Sequence, residues 1–301
     1  MILSVLKRIL RLIAALYIGA LIVGWVVDPE PILPHPFFEK QGTAPLAIAH
    51  RGGPELGPES TLHTYRRVSK LGIDVLEIDV HATADGHLIV AHDRRVDRVT
   101  DGSGPIAEMN FDSLRSLDAG HNWTLDGVSF PLRDRGIQMP TVDEMFEEFN
   151  DWRFVIELKG RTPEVARNLC ESVRRHGMGD RVAVASFSGD ALVAFRAACP
   201  GVLTSGSFGE NLLFWTLHVL RLDDLYTPTP FSCFMVPIKL GLLTIVDERF
   251  IETAHRRNLA VQVWTVDEKQ EMEWLIDLGV DGIMTDHPTR LISLLHGAAT
   301  Q

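Results

Sequence analysis

Four short stretches place charged and imidazole side chains at the ends of apolar runs. Residues 50–53 read His-Arg-Gly-Gly, 76–80 read Leu-Glu-Ile-Asp-Val, 92–93 read His-Asp and 156–159 read Ile-Glu-Leu-Lys. In an extended strand alternate side chains share a face, so Glu77 and Asp79 point one way and Leu76, Ile78 and Val80 the other. Two carboxylates side by side on a buried face are costly unless a cation neutralises them. Glu77, Asp79 and Glu157, completed by water, make an oxygen-rich set that suits one divalent cation, Mg2+ or Ca2+. His50 and His92 titrate near neutral pH and form a candidate acid–base pair. Arg51 and Lys159 are candidates to hold the nonbridging oxygens of a phosphate. Together these residues point to metal-assisted phosphoryl-transfer chemistry. The plain alternative is a metal-free salt-bridge network of Glu77 and Asp79 with Arg51 and Lys159.

Such side chains need a scaffold that gathers strand ends. Nine β-rich runs recur, at 46–50, 75–80, 88–92, 154–159, 182–187, 202–204, 234–237, 261–266 and 282–285. Helical patterns lie between many of them, clearest at 61–71, 142–149, 163–176, 190–198, 247–257 and 269–278. Asp190 and Asp267 sit at expected N-caps, and Gly72, Gly177 and Gly279 follow expected C-termini. Strand–helix alternation over roughly 250 residues predicts an α/β fold, a (β/α)8 TIM barrel with its chemistry at the C-terminal strand ends. Nine runs are one too many, and Asp85-Gly86 is a hairpin-type turn, so the second or third run is not a regular stave. Residues 94–140 hold no clear regular element and are expected to form an insertion lobe after the third strand.

The 301-residue chain carries 29 Lys and Arg against 40 Asp and Glu, a net charge of −11. Residues 1–45 hold four basic and three acidic groups, which leaves −12 for the rest. An acidic chain without a basic run excludes a nucleic-acid partner, because phosphate contacts supply most of that affinity. Three scattered cysteines, Cys170, Cys199 and Cys233, exclude a disulfide framework or zinc site, although one pair could bridge. Residues 12–27 are free of charge and, as a helix, would span roughly 24 Å. With Lys7, Arg8 and Arg11 before it and Asp28 and Glu30 after it, this run is expected to be a single-pass transmembrane helix, N-terminus cytoplasmic and the remainder extracytoplasmic. A cleavable signal peptide is the rival reading. The expected organisation is an anchor over 1–28, a proline-rich spacer over 29–45 and the barrel over 46–301.

The strings AHRGGPELGPEST (49–61), LEIDVHATADGHLIVAHD (76–93), IELK (156–159), VWTVD (263–267) and GIMTDHP (282–288) resemble the glycerophosphodiester phosphodiesterases. The likeness spans about residues 46–290. It implies a TIM barrel with one divalent metal that cleaves glycerophosphodiesters to glycerol 3-phosphate and an alcohol; some members act on lysophospholipids. It makes His50 and His92 the acid–base pair, Glu77, Asp79 and Glu157 metal ligands, and Arg51 and Lys159 phosphate contacts. Trp264 becomes an apolar wall of the site, with a plain core role as the alternative. Glu59 falls near the metal, and Ser60 stands where the family has Asn. The family route is two-step, through a cyclic phosphate formed by the glycerol 2-hydroxyl.

Thr285 and Asp286 close the last strand and read as structural support. Residues 211–222, NLLFWTLHVLRL, are apolar almost all round, and read either as a buried helix or as a segment at the barrel mouth that touches lipid or an acyl chain. The expected activity is therefore glycerophosphodiester hydrolysis. Its alternatives are lysophospholipase D-type hydrolysis on the same site and a catalytically silent barrel that binds phospholipid headgroups. A sugar-phosphate isomerase would not need the two histidines and the acids together.

Overall fold

The structure, a computed structural model, describes residues 2–26, 34–39, 43–160, 162–226 and 230–298. In chain order it contains α1 (Ile2–Val26), β1 (Leu46–Ala49), α2 (Leu62–Val68), β2 (Val75–Ala82), β3 (Leu88–Val90), α3 (Phe111–Arg115), α4 (Val142–Glu148) and β4 (Arg153–Leu158). There follow α5 (Pro163–Arg175), β5 (Val182–Ala185), α6 (Gly189–Ala198), β6 (Leu203–Thr204), α7 (Phe208–Val219), β7 (Cys233–Val236), β8 (Lys239–Leu240), β9 (Leu243–Thr244), α8 (Glu248–Arg256), β10 (Ala260–Val263), α9 (Lys269–Leu278), β11 (Gly282–Thr285) and α10 (Pro288–Ala298).

Eight parallel strands run in the order β6-β5-β4-β2-β1-β11-β10-β7. A parallel bridge between Ser205 and Cys233 brings the two ends together, so the sheet is a nearly closed (β/α)8 barrel. The supernumerary run is β3, which pairs antiparallel with β2 after the Asp85-Gly86 turn and lies off the barrel path. Alternation sorts the strands into two cores. One set of side chains packs under the helices, from Ala47, Leu76, Ile78 and Ile156 to Phe234 and Ile283. The other fills the barrel with Leu46, Ile48, Val75, Val155, Leu203, Met235 and Met284. Helix starts follow local hydrogen-bond chemistry. Thr141 with Glu144 and Ser207 with Glu210 form capping boxes, and Thr162 and Asp247 cap α5 and α8. Ser188, rather than Asp190, caps α6, and α9 begins after Glu268, which frees Asp267 for another task. Residues 91–139 build a lobe with its own small core of Val96, Ile106, Leu114, Ala119 and Met139 against Ile89. Cys170 on α5 and Cys199 after α6 form a disulfide, and Cys233 is free and buried.

The N-terminal region departs from expectation. Among the described residues no helix is long and apolar enough to cross a membrane. This overturns the single-pass helix and the topology drawn from it. The physical reason lies in α1 itself. Lys7, Arg8 and Arg11 fall inside the helix, and the charge-free remainder, about 22 Å at 1.5 Å per residue, falls short of the ~30 Å hydrocarbon core. The helix also meets the barrel: Tyr17 Oη donates to Leu220 O at 2.8 Å. Residues 27–28 of the expected anchor and 29–33 and 40–42 of the expected spacer lie outside the described residues. Its middle is part of the packing, since Pro36–Phe38 form a 3-10 turn and Phe37 is fully buried among the barrel-filling side chains. Arg153 at the start of β4 holds that turn, donating from Nη1 to Phe37 O and Glu39 O, each at 2.9 Å.

Candidate active site

Strand register sets the site. Ala49 on β1 pairs with Thr285 on β11 and with Leu76 on β2, so His50 stands beside Asp286 on one side and Glu77 on the other. Asp79 pairs with Glu157 across β2 and β4, and Lys159 follows one step beyond β4. The inward side chains thus change from apolar to charged at the C-terminal end of the barrel, where active sites of this fold lie.

A tight turn shapes the first stretch. Arg51, Gly52 and Gly53 have φ of 51°, 84° and 81°. A Cβ on Gly53 would stand 2.5 Å from Pro288 Cγ, so only glycine fits there. Arg51 is in the left-handed region without being glycine, a conformation that costs roughly 1–3 kcal/mol and is characteristic of functional sites. Two backbone bonds hold it: Arg51 N–H donates to Glu77 Oε2 at 2.8 Å, and Ser60 N–H donates to Arg51 O at 2.9 Å. Ser60, itself at φ 59°, therefore closes this turn through its backbone.

Both candidate histidines are held at Nδ1 by a carboxylate. His50 Nδ1 lies 2.7 Å from Asp286 Oδ1, and His92 Nδ1 lies 2.8 Å from Asp93 Oδ1. An ionised carboxylate only accepts, so each ring carries its proton on Nδ1 and leaves Nε2 as the basic nitrogen. Burial pulls the His50 pKa down, but the Asp286 hydrogen bond and the Glu77 charge outweigh it and raise it above its ordinary value. For Asp286 burial acts upward, and the His50 bond and charge outweigh it, holding the carboxyl low. Asp286 has a support of its own, because Asp267 Oδ1 accepts from Asp286 N–H at 2.9 Å and from Thr285 Oγ1 at 3.0 Å. On the other side Arg98 of the lobe donates from Nε to Asp93 Oδ2 at 2.6 Å and grips Glu59 through both terminal nitrogens at 2.8 and 2.7 Å.

The acids lie between these histidines. Glu77 and Asp79 are almost fully buried. Burial, then the charge of Asp79, pushes the Glu77 carboxyl up to about 8. Lys159 Nζ sits 3.0 Å from Asp79 Oδ1 and 2.7 Å from Glu157 Oε1, while Arg51 Nε is 3.5 Å from Asp79 Oδ2. Burial opposes the Lys159 charge, but Asp79 and Glu157 outweigh it and raise its pKa. The metal-free network envisaged from the sequence is thus partly formed. It does not satisfy the site, since neither Asp79 oxygen receives a well-aligned hydrogen bond. A buried carboxylate short of donors, Asp79, beside the carboxylates of Glu77 and Glu157, is the donor chemistry that suits a hard divalent cation.

The strand ends bring together His50, Arg51, Glu77, His92, Glu157 and Lys159 in the lining of one cleft of about 340 Å³. Trp264 lines the same cleft, its ring edge-on to Phe187 at 5.8 Å. Glu59 faces Arg51 and Arg98 rather than the three acids. His81 is a packing residue whose Nε2 lies 3.1 Å from His92 O. Asp286, expected as structural support, orients His50; Asp267, expected as an N-cap, instead holds Asp286 and Thr285; Arg98 had no expected role. For the first two the only signal was their place in TDHP and VWTVD; Arg98 lay in a stretch without pattern. Among the described residues the group whose ligand atoms lie within 4.8 Å of one another is Asp118, His121 and Asp134 in the lobe, where the Asp118 carboxylate already accepts from Gly120 and Asp134 N–H.

The sequence model of the Glycerophosphoryl diester phosphodiesterase family matches residues 50–290. A glycerophosphodiester phosphodiesterase of Caldanaerobacter subterraneus subsp. tengcongensis is 31% identical over 255 residues, covering 83% of this chain and 97% of the relative. One from Bacillus altitudinis is 28% identical over 253 residues, covering 82% and 96%. In fold, the glycerophosphoryl diester phosphodiesterase domain of a Mycobacterium tuberculosis protein superposes with a TM-score of 0.76 at 20% identity, covering 84% of this chain and all of that one. An Oleispira antarctica phosphodiesterase solved with the product sn-glycerol-3-phosphate gives 0.68 at 24% identity, covering 84% and 97%.

Proposed function

Because the chain belongs to the glycerophosphoryl diester phosphodiesterase family, we propose that it hydrolyses glycerophosphodiesters with His50 and His92 as its acid–base pair and Glu77, Asp79 and Glu157 as ligands of one divalent cation, within a catalytic domain over 46–301. That it is a phosphodiesterase acting on glycerophosphodiesters follows from its relatives; the residue roles and the metal are the proposal. The observation that supports it best is the pairing of each histidine with its own carboxylate at the edge of one buried acid cluster.

A divalent cation held by Glu77, Asp79 and Glu157 would supply Lewis-acid polarisation of a phosphoryl oxygen. Arg51 and Lys159, beside Asp79 and Glu157, are the cations placed to meet the remaining nonbridging oxygens. We assign the base role to His50. Asp286 holds its Nδ1–H, so Nε2 accepts the proton of the attacking hydroxyl, and the resulting imidazolium is stabilised by the carboxylate. His92 is the complementary acid. As the imidazolium, held at Nδ1 by Asp93, it gives its Nε2 proton to the leaving oxygen and returns to the neutral ring. Trp264 walls the cleft beside these groups.

A catalytically silent headgroup binder has no use for two histidines each oriented by an acid, and nothing in the site favours that reading. The test is turnover of glycerophosphocholine with added Mg2+ or Ca2+ against a chelator control. Release of glycerol 3-phosphate that requires the ion is expected; no turnover with either ion would sink the proposal.

A further inference from the structure

The two histidines are oriented by different parts of the molecule. Asp286, which holds His50, follows β11 and is itself fixed by Asp267, so that assembly belongs to the barrel. His92 follows β3, which lies off the barrel path. Its side chain is 31% exposed, and the carboxylate that holds it belongs to its equally exposed neighbour, Asp93. A partly exposed pair must hold two side chains in one geometry against their own entropy, so by itself it is a weak guide for a ring.

Arg98 supplies what the pair lacks. Its guanidinium engages three N–H groups at once, Nε on Asp93 Oδ2 at 2.6 Å, and Nη1 and Nη2 on the two Glu59 oxygens at 2.8 and 2.7 Å. Glu59 is largely buried and also meets Arg51 Nη1 at 3.4 Å, so the fork ties Asp93 to the turn that carries Arg51. Burial acts upward on the Asp93 carboxyl, but the Arg98 bond, followed by the His92 bond, outweighs it and keeps the carboxyl low. The lobe in turn fixes Arg98. Asn122 Nδ2 donates to Arg98 O at 3.1 Å and to Thr100 O at 2.9 Å, and Thr100 Oγ1 donates to Val96 O at 2.9 Å in the lobe core. Trp123 Nε1 donates to Pro54 O at 3.0 Å and fastens the lobe beside the same turn.

We infer that Arg98 is a positioning residue for protonation of the leaving group: the lobe delivers it, and its fork aims the His92 ring through Asp93. The inference rests on the proposed acid role of His92. The plain rival is that Arg98 only neutralises two acids and fastens the lobe. A lysine would do that, but it lacks the planar fork that bonds both carboxylates. The step concerned breaks the bond between phosphorus and the leaving oxygen as that oxygen takes the Nε2 proton. An alkoxide such as that of choline needs this proton, whereas 4-nitrophenolate departs as a stable anion without it.

The test uses the full chain with Mg2+ or Ca2+ and two diesters, glycerophosphocholine and glycerophospho-4-nitrophenol. They are compared by kcat/KM, which covers the steps through departure of the leaving group. His92→Ala sets the scale, with a loss of roughly 10²–10⁴ on glycerophosphocholine and less than about tenfold on the nitrophenyl diester. Arg98→Ala should lower the glycerophosphocholine value by roughly 10- to 100-fold, the scale of a misplaced catalytic group, through kcat more than KM, and leave the nitrophenyl value within about threefold. Arg98→Lys should behave as Arg98→Ala. Guanidinium chloride below denaturing concentration should restore part of the glycerophosphocholine activity of Arg98→Ala but not of His92→Ala, and sodium chloride should restore neither. The Arg98 side chain is half exposed, and circular dichroism melting verifies the fold of each variant. A selective loss in His92→Ala beside equal losses on both diesters in Arg98→Ala would overturn the inference and leave the proposed function intact. So would full activity in Arg98→Lys. An unselective loss in His92→Ala would strike its acid role, and no turnover of either diester by the unaltered chain would strike the proposed function; the inference falls with either.

Discussion

Asp286 and His50 stand 236 residues apart in sequence, yet Asp286 Oδ1 meets His50 Nδ1 at 2.7 Å. The pairing follows from closure of the barrel, because β11 lies against β1 with Thr285 opposite Ala49. It makes Asp286 a positioning residue. Replacing it with Asn keeps the shape, removes the charge that raises the His50 pKa, and allows the wrong imidazole tautomer. Asp286→Asn should lower kcat by between about 10-fold and 10⁴-fold, the upper bound being loss of the general base. The acid limb of the kcat/KM profile should move to lower pH. A profile that stays in place, at whatever rate, would remove Asp286 from the control of His50.

The same pair makes a prediction about stability. His50 has a raised pKa in the folded state, so its contribution is full below the ordinary imidazole value of about 6.5 and is lost as pH rises through the raised value. Asp286 has a lowered pKa, so its contribution is present above the ordinary value of about 3.9 and is lost as pH falls through the lowered one. Asp286→Asn should therefore cost most melting temperature between about pH 4 and 6.5, and progressively less as pH rises through the raised His50 value, above which the imidazole is neutral with or without its partner. Equal losses across that range would show that the pair does not contribute through charge.

His50→Ala and His92→Ala should each lower kcat by roughly 10²–10⁴, the usual worth of general acid–base catalysis. Since one proton transfer serves the other, the double variant should be little slower than either single one. Near wild-type kcat in one single variant would take that histidine out of the mechanism.

Asp79→Asn and Glu157→Gln should weaken Mg2+ or Ca2+ binding, read by titration calorimetry independently of turnover, while circular dichroism stays that of the folded barrel. Asp79 is the more demanding case, because its two oxygens are buried and face both Lys159 and Arg51. Unchanged ion affinity in both variants would leave the metal-free ion-pair network as the account of this cluster.

How much of this was legible beforehand depended on distance along the chain. Glu77 and Asp79 share a strand face by period alone, and Glu157 and Lys159 repeat the pattern, so the acid cluster could be read from local alternation. The Asp85-Gly86 turn similarly marked the extra strand. For Asp286 local pattern gave only a supporting role and for Asp267 an N-cap, since their actual partners are fixed only when β10, β11 and β1 align. Arg98 comes from a lobe whose path no periodicity encodes, yet it holds Glu59 and Asp93 together. Composition misled at the N-terminus. An apolar run with basic flanks suggested a span, but the bases fall within the helix, and one phenylalanine after the prolines is drawn into the barrel.

That phenylalanine supports the last prediction. Phe37 is wholly buried against the side chains that fill the barrel, and its backbone is fixed by Arg153. Phe37→Ala removes a buried aromatic ring and leaves a cavity, at a cost of about 3–5 kcal/mol. For a domain of this size each kcal/mol is worth roughly 2–4 °C, so the melting point should fall by about 6–20 °C. Truncation tests the same point from the chain end. A variant lacking residues 1–33 retains the Pro36–Phe38 turn and loses α1, whose bond from Tyr17 to Leu220 is exposed and worth about 1 kcal/mol. It should melt close to the full chain and turn over glycerophosphocholine at a similar rate. A variant lacking residues 1–40 loses Phe37 as well and should melt as low as Phe37→Ala or lower. Equal melting points for the two truncations would mean that the ring is dispensable to the barrel.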